Sequence, residues 1–282
     1  MRSTRQSVLL ALAVSSLAGA CSARSPEPTP APVRRATNAN APLSLPRDWA
    51  TTVFLEREDS LILTLPSGGR QVQRQGRSAR FTLTLTPGAI RVRLDTLVLR
   101  PSLGDQTNDV IGTIWTARIG ESGRIYALQA TRGSPLAEEI GNAVRAMIPR
   151  LPGETVRPGE SWSDSSSGAV RVDIFRATEQ RTSRWSSGER VDRNGLSVLP
   201  IRLREDYEQL GRGDQSGRQM TMTAQGRRTA TYYMTLDGRV DAAVMQDSVV
   251  KLITIPATRQ SIPTMQFNRT ELRFGSDGRG RR

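Results

Sequence analysis

The amino-acid sequence predicts a mainly β protein: an antiparallel, strongly curved sheet, half-barrel or barrel, with one short α-helix packed on it. From Thr51 onward, short runs alternate apolar and polar residues with the period of a half-buried strand. Turns rich in Gly, Pro and Asp punctuate these runs at hairpin spacing. Thr, Val, Ile and Leu recur throughout while aromatics make up only 5%, so the buried layers should be aliphatic and β-branched rather than an aromatic cluster.

The elements follow in order. Residues 1–20 set Arg2 and Arg5 before the uncharged run 7–20, which is shorter than the roughly 20 apolar residues of a spanning helix and reads as a secretory signal. Residues 21–46 contain six prolines and almost no large apolar side chain, the composition of an extended, partly polyproline II tether. A single β-rich domain is expected over 47–274. Its first strands are 51–58 and 60–65, with a turn at 66–69. Phe81, Leu83 and Leu85 alternate with threonines, and after Pro87-Gly88 the alternation resumes at Ile90, Val92 and Leu94, which makes a hairpin. Residues 112–119 and 124–130 flank Gly120 to Gly123 and make another.

A helix over 135–148 interrupts the strands. Ser134 suits its N-cap, Pro135 its first turn, and Glu138 and Glu139 the positive end of its dipole. Leu136, Ile140, Val144, Met147 and Ile148 share one face, which should pack on the sheet, and Pro149 ends the run. Residues 149–158 form a rigid connector. Strands return over 169–177, 182–191, 197–207, 218–224 and 229–236. Asp237-Gly238 is a hairpin turn before 240–246, and 247–255 and 262–274 close the series. Residues 275–282 read as a disordered basic tail. The two sides of the helix, 47–133 and 159–274, share short likenesses: Pro87-Gly88-Ala89-Ile90 with Ser167-Gly168-Ala169-Val170, and Ser122-Gly123-Arg124 with Asp237-Gly238-Arg239. They suggest two related halves, although turn chemistry alone produces such matches.

The chain has no histidine and one cysteine, Cys21, which excludes Ser-His-Asp and Cys-His nucleophile systems, redox disulfides and the common zinc sites. Calcium-loop, Walker and dinucleotide-binding glycine motifs are absent, so no metal and no cofactor is expected. Carboxylates are the remaining catalytic apparatus. Glu138 and Glu139 splay apart on a helix. Alternation puts Glu205 on the face opposite Asp206 and Glu208, and the three read as a solvated strand end rather than a glycosidase pair. No catalytic residue is assigned, and Arg212-Gly213-Asp214, in a Gly-rich loop, receives no role. Trp115, Trp162 and Trp185 lie on or beside strands and are the candidate ligand-binding residues, as walls of an apolar cavity; sheet packing is the alternative use of the same side chains. The formal charge is +13, and Lys251 is the only lysine among 40 Lys plus Arg. The arginines are spread over every segment, as the codon bias of a GC-rich genome would spread them; they also favour encounters with an anionic envelope component.

Ala18-Gly19-Ala20-Cys21 resembles the lipobox of bacterial lipoproteins, with Ala18 where leucine is usual and Leu17 one place back. The resemblance implies a diacylglyceryl group on Cys21 and attachment to a membrane through acyl chains. Ala18-x-Ala20 also fits an ordinary signal-peptidase site, which would leave the protein secreted. Ser22 fits outer-membrane over inner-membrane sorting. Farther on, Leu151-Pro152 followed by Val156-x-Pro158-Gly159-Glu160-Ser161-Trp162, with Thr231-Tyr232-Tyr233 before Asp237-Gly238-Arg239-Val240, is similar to a group of uncharacterised bacterial envelope lipoproteins. In these, two β-rich halves flank a short helix, and no activity is established for them. Fold-level analogy points to the curved sheets of periplasmic lipoprotein carriers. The expectation is therefore an exported, non-enzymatic binding module for an apolar or lipid-like ligand. The alternative is a structural or assembly module of the envelope working through protein or anionic-surface contacts. Export argues against nucleic acid as a partner.

Overall fold

The computed structural model describes residues 41–64, 68–102, 107–172, 174–215 and 217–275. The expected signal segment, Cys21, the expected tether up to residue 40 and residues 276–282 of the expected tail lie outside the described residues.

The chain folds as expected into mainly antiparallel β structure with a single short helix. Twelve strands are described: β1 (Trp49–Thr64), β2 (Arg70–Thr86), β3 (Ala89–Arg100), β4 (Ile114–Ile119), β5 (Ile125–Ala130), β6 (Ser161–Val172), β7 (Phe175–Ser187), β8 (Val191–Arg193), β9 (Leu196–Gln215), β10 (Arg218–Thr235), β11 (Val240–Ile255) and β12 (Gln260–Phe274). Helix α1 (Pro135–Arg145) lies between β5 and β6 in the chain. One sheet runs in the order β5-β4-β3-β2-β1-β12-β11-β10-β9-β7-β6, with β8 paired to β9 alone. It is curved but not closed, so of the two expected shapes the complete barrel is ruled out. The reason lies in the edges. β5 and β6 do not pair; α1 touches both, and Glu138 on the helix reaches Arg171 of β6 at 3.5 Å. The helix thus occupies the seam where closing hydrogen bonds would run.

Several expected pairs of short strands are single long ones. Segments 51–58 and 60–65 merge into β1, 218–224 and 229–236 into β10, and 240–246 and 247–255 into β11, while 197–207 extends to Gln215 and takes Arg212-Gly213-Asp214 out of its supposed loop. The joins fall at polar residues such as Asp59, Arg228 and Asp247, which interrupt the apolar alternation without ending the strand. The two chain halves meet where β1 pairs with β12. Gly123 and Gly238 both sit at positive φ in hairpin turns, whereas Gly168 lies inside β6 and so does not match Gly88.

Ser134 Oγ accepts the N–H of Ala137 at 3.1 Å and Pro135 opens α1. The helix stops at Arg145 instead of residue 148, because Ala146 and Met147 turn back onto the carbonyls of Ala143 and Val144. Ile140 and Val144 still bury the expected face, and Met147 and Ile148 are buried beyond the helix end. The ordered body also begins earlier than residue 47. Leu43, assigned to the tether on composition, is 3% exposed and exchanges two 2.8 Å backbone hydrogen bonds with Val156 of the connector. Its neighbour Ala41 accepts from Arg190 at 2.9 Å.

Candidate functional site

Antiparallel register lines up the inward-facing residues of neighbouring strands in rows, so the inside of the curve reads layer by layer. At the end nearest α1 the rows are apolar: Ala79, Leu55, Leu272, Ala243, Tyr232 and Ile201 make one. Two rows further, the layer is wholly polar, running Gln75, Asp59, Asn268, Asp247, Arg228, Glu205, Ser183 and Asp164 from β2 to β6. The next two rows carry Gln266, Tyr207 and Arg181, then Thr264, Lys251, Gln209 and Glu179. Beyond them Ile253, Met222 and Ala177 restore an apolar row, part of a second, smaller core around Phe175. A belt of charge therefore lies between two apolar regions.

The belt is densely hydrogen-bonded. Arg228 donates to Glu205 Oε1 and Asp247 Oδ2, both at 3.1 Å, and its guanidinium lies 5.6 Å from the centre of the Tyr207 ring. Ser183 Oγ donates to Glu205 Oε2 at 2.7 Å, and the Tyr207 hydroxyl to Asp247 Oδ1 at 2.8 Å. Glu179 accepts from Gln209 at 2.7 Å and pairs with Arg181, which also stands 3.8 Å from Glu205. Arg57 grips Asp59, Arg77 reaches Glu139 of α1 at 2.7 Å, and Arg150 of the connector pairs with Asp164.

Local fields follow from this arrangement. Burial alone would pull the Arg228 pKa down, but Asp247 and Glu205 outweigh it and the net direction is up. Burial, then the Asp247 charge, pushes the Tyr207 phenol up, and burial does the same to Tyr232. Arg145 and Arg150 move the other way: burial lowers both, and repulsion from Arg181 adds to each, with Arg124 also acting on Arg150.

Between the belt and α1 lies a cavity of about 280 Å³, close to the lower end of small-molecule sites. Its wall mixes charged groups with apolar ones. Among its lining residues, Glu139, Asn142 and Arg145 come from α1, Val170, Arg171 and Val172 from β6, and Arg181, Glu205, Tyr207, Arg228, Asp247 and Lys251 from the sheet, with Leu203, Met245 and Val249 adding apolar surface. Lys251, the chain's one lysine, is 4% exposed there.

The three candidate tryptophans have different fates. Trp115 is 2% exposed, meets Phe81 edge-on at 6.5 Å and abuts Gly141 of α1, so it packs in the core and does not line this cavity. Trp185 on β7 is 5% exposed and lines the cavity, between Tyr232 at 6.1 Å and Trp162 at 6.2 Å. Trp162 stacks parallel on Trp185 from the edge strand and, outside the cavity lining, borders a shallow groove that Trp185 also touches. The alternation argument separated Glu205 from Asp206 and Glu208 correctly, but Glu205 is no solvated strand end. It is 4% exposed in mid-strand, while Asp206 and Glu208 face out to Arg227 and Gln225. Sequence reasoning missed Arg181, Arg228, Asp247 and Lys251. The available signal was phase: Leu199, Ile201, Leu203, Glu205, Tyr207 and Gln209 occupy one face of one strand, and that face changes from apolar to polar.

The outer face carries a feature of its own. Val72, Ile62, Met265 and Val250 form an apolar row across β2, β1, β12 and β11, next to exposed Phe267 and Leu252 and bordered by Arg70, Arg74 and Arg227. Among the described residues, no helix is long and apolar enough to cross a membrane, and no cluster of Asp and Glu side chains is arranged to hold a metal ion. Compared with known proteins, the chain matches no family model and no curated protein.

Proposed function

We propose that the protein is an exported lipoprotein of the cell envelope, held at the outer membrane by acyl chains on Cys21, and a non-enzymatic binding module for a lipid-like, amphipathic ligand. The observation that carries this reading is the mixed wall of the 280 Å³ cavity, where belt charges stand beside Val170, Val172, Val249 and Met245. A purely apolar ligand would strip water from those charges without replacing it, which costs several kcal/mol per group. An amphiphile avoids the penalty by giving its polar end to the belt and its chain to the valines. Native mass spectrometry of the full protein after mild extraction tests this. A co-purifying amphiphile, or uptake of an added one at one per chain, is expected; a protein that stays empty in both conditions overturns the reading. Intact mass of the same sample tests the anchor, since an unmodified Cys21 sulfur removes it.

The outer apolar row supports the second reading, an assembly module. Its arginine border suits a partner with acidic groups around an apolar centre. Crosslinking in intact cells should then recover one specific protein, with binding weakened by salt, and lose it on Met265→Asp. Failure to recover any specific partner counts against it.

A further inference from the structure

We infer that the polar end taken by this cavity is an anion, a phosphate or a carboxylate, received by Arg145 and the indole N–H of Trp185. This inference rests on the amphiphile reading. It follows from which hydrogen-bonding groups are already used. Both oxygens of Glu179, of Glu205 and of Asp247 accept from Arg181 and Gln209, Ser183 and Arg228, and Tyr207 and Arg228 respectively. An arriving ammonium would find these carboxylates occupied. The unmet groups are donors. Trp185 Nε1 belongs to a cavity-lining residue and is buried without a hydrogen-bond acceptor. Leaving such a donor unmet costs about 1–3 kcal/mol, so it is a place where a ligand acceptor is rewarded. Arg145, at the cavity rim, makes its one side-chain hydrogen bond to the neutral Asn142 Oδ1 at 3.1 Å and has no carboxylate partner among the described residues. Arg181, despite its own carboxylate pairs, repels both Arg145 and Arg150. An anion between them relieves that repulsion.

The test titrates the full protein with four soluble probes, hexyl phosphate, hexyltrimethylammonium, hexyl glucoside and inorganic phosphate, followed by tryptophan fluorescence. Hexyl phosphate should bind at least about tenfold more tightly than the cationic and neutral chains, since a charge-assisted contact outweighs a neutral one. Arg145→Gln should remove about tenfold of that affinity and leave hexyl glucoside unaffected. Trp185→Phe keeps an aromatic side chain and removes the N–H; it should weaken hexyl phosphate several-fold and leave the affinity for hexyl glucoside unchanged. Equal binding of hexyl phosphate and hexyl glucoside would overturn the anion inference while the amphiphile reading stands. Equal binding of hexyl phosphate and inorganic phosphate would keep the anion site and overturn the amphiphile reading. Binding of none of the hexyl probes would overturn both.

Discussion

Gly226 on β10 pairs with Tyr207 on β9, and the Tyr207 ring lies across the space where a side chain would begin. A Cβ at Gly226 would collide with Tyr207 Cζ and its hydroxyl, and would stand 2.6 Å from Cε2. No flexible tip is available to yield, so in Gly226→Ala the whole ring has to swing away. Overpacking of this kind costs about 1–3 kcal/mol. The swing also breaks the 2.8 Å bond from the Tyr207 hydroxyl to Asp247, a hydrogen bond to a charged group worth about 1.5–3 kcal/mol. Replacing glycine stiffens the unfolded chain and returns about 0.4–1 kcal/mol. The net expectation is a loss of about 2–5 kcal/mol, or about 4–20 °C in Tm at the roughly 2–4 °C per kcal/mol of a domain of this size. Urea unfolding followed by tryptophan fluorescence and circular dichroism measures it. In a Tyr207→Ala background the same glycine substitution should be nearly neutral, which isolates the pairwise clash. A Gly226→Ala protein within about 0.5 kcal/mol of the parent, the range of an inconsequential surface change, would refute the placement of Tyr207 over the belt.

Three further outcomes are expected. Arg228→Met leaves Glu205 and Asp247 facing each other without their shared cation and should cost about 3–5 kcal/mol in urea unfolding at pH 7. Tyr207 and Tyr232 have folded pKa values raised above the usual phenol value of about 10; their contribution to stability is complete below that pH and is lost as the pH rises above it, so stability should fall above about pH 10 and their tyrosinate absorbance should appear only with unfolding. Leu43→Ala should lower stability by about 2–4 kcal/mol in denaturant titration, the cost of truncating a buried leucine, whereas a residue in a free tether would cost nothing.

Fold class was readable because alternation and turn chemistry are local. The β2–β3 hairpin at Gly88 and the β10–β11 hairpin at Gly238 stand where Pro87-Gly88 and Asp237-Gly238 put them. Sheet order was not readable, since pairing β1 with β12 joins segments more than two hundred residues apart and leaves no local trace. Strand length was misread for the same reason that the site was missed. Asp59, Arg228 and Asp247 look like strand ends when each strand is read alone, because a lone charge on the buried phase is unfavourable. They become permissible only when register brings neighbouring strands' charges into one row. Leu43 illustrates the converse: the prolines around it describe an extended chain, and an extended chain can dock by a two-hydrogen-bond bridge as readily as it can span a gap.

The belt itself argues for a binding role. An interior of this size can be filled with aliphatic side chains, and replacing a buried ion-pair network by well-packed apolar residues is often neutral or stabilising. The chain fills the rows on either side in that way, with Leu55, Ile201 and Leu272 toward α1 and Phe175, Met220 and Met222 toward the far end. Between them it keeps Glu205, Arg228, Asp247 and Lys251 inside, next to the cavity wall that α1 shares with the sheet. The open seam supplies the remaining condition. A closed barrel would hold its hydrogen-bond ladder around the full circumference, and a ligand would have to enter along its axis. Here the gap between β5 and β6 is spanned by side-chain contacts of a three-turn helix, including the long 3.5 Å contact of Glu138 with Arg171. Breaking that contact costs far less than opening a strand ladder, because partly exposed ion pairs of this kind contribute about 0–1 kcal/mol. Polar interior, cavity and weak seam thus fall on the same side of the sheet, as the proposed uptake of an anionic group requires.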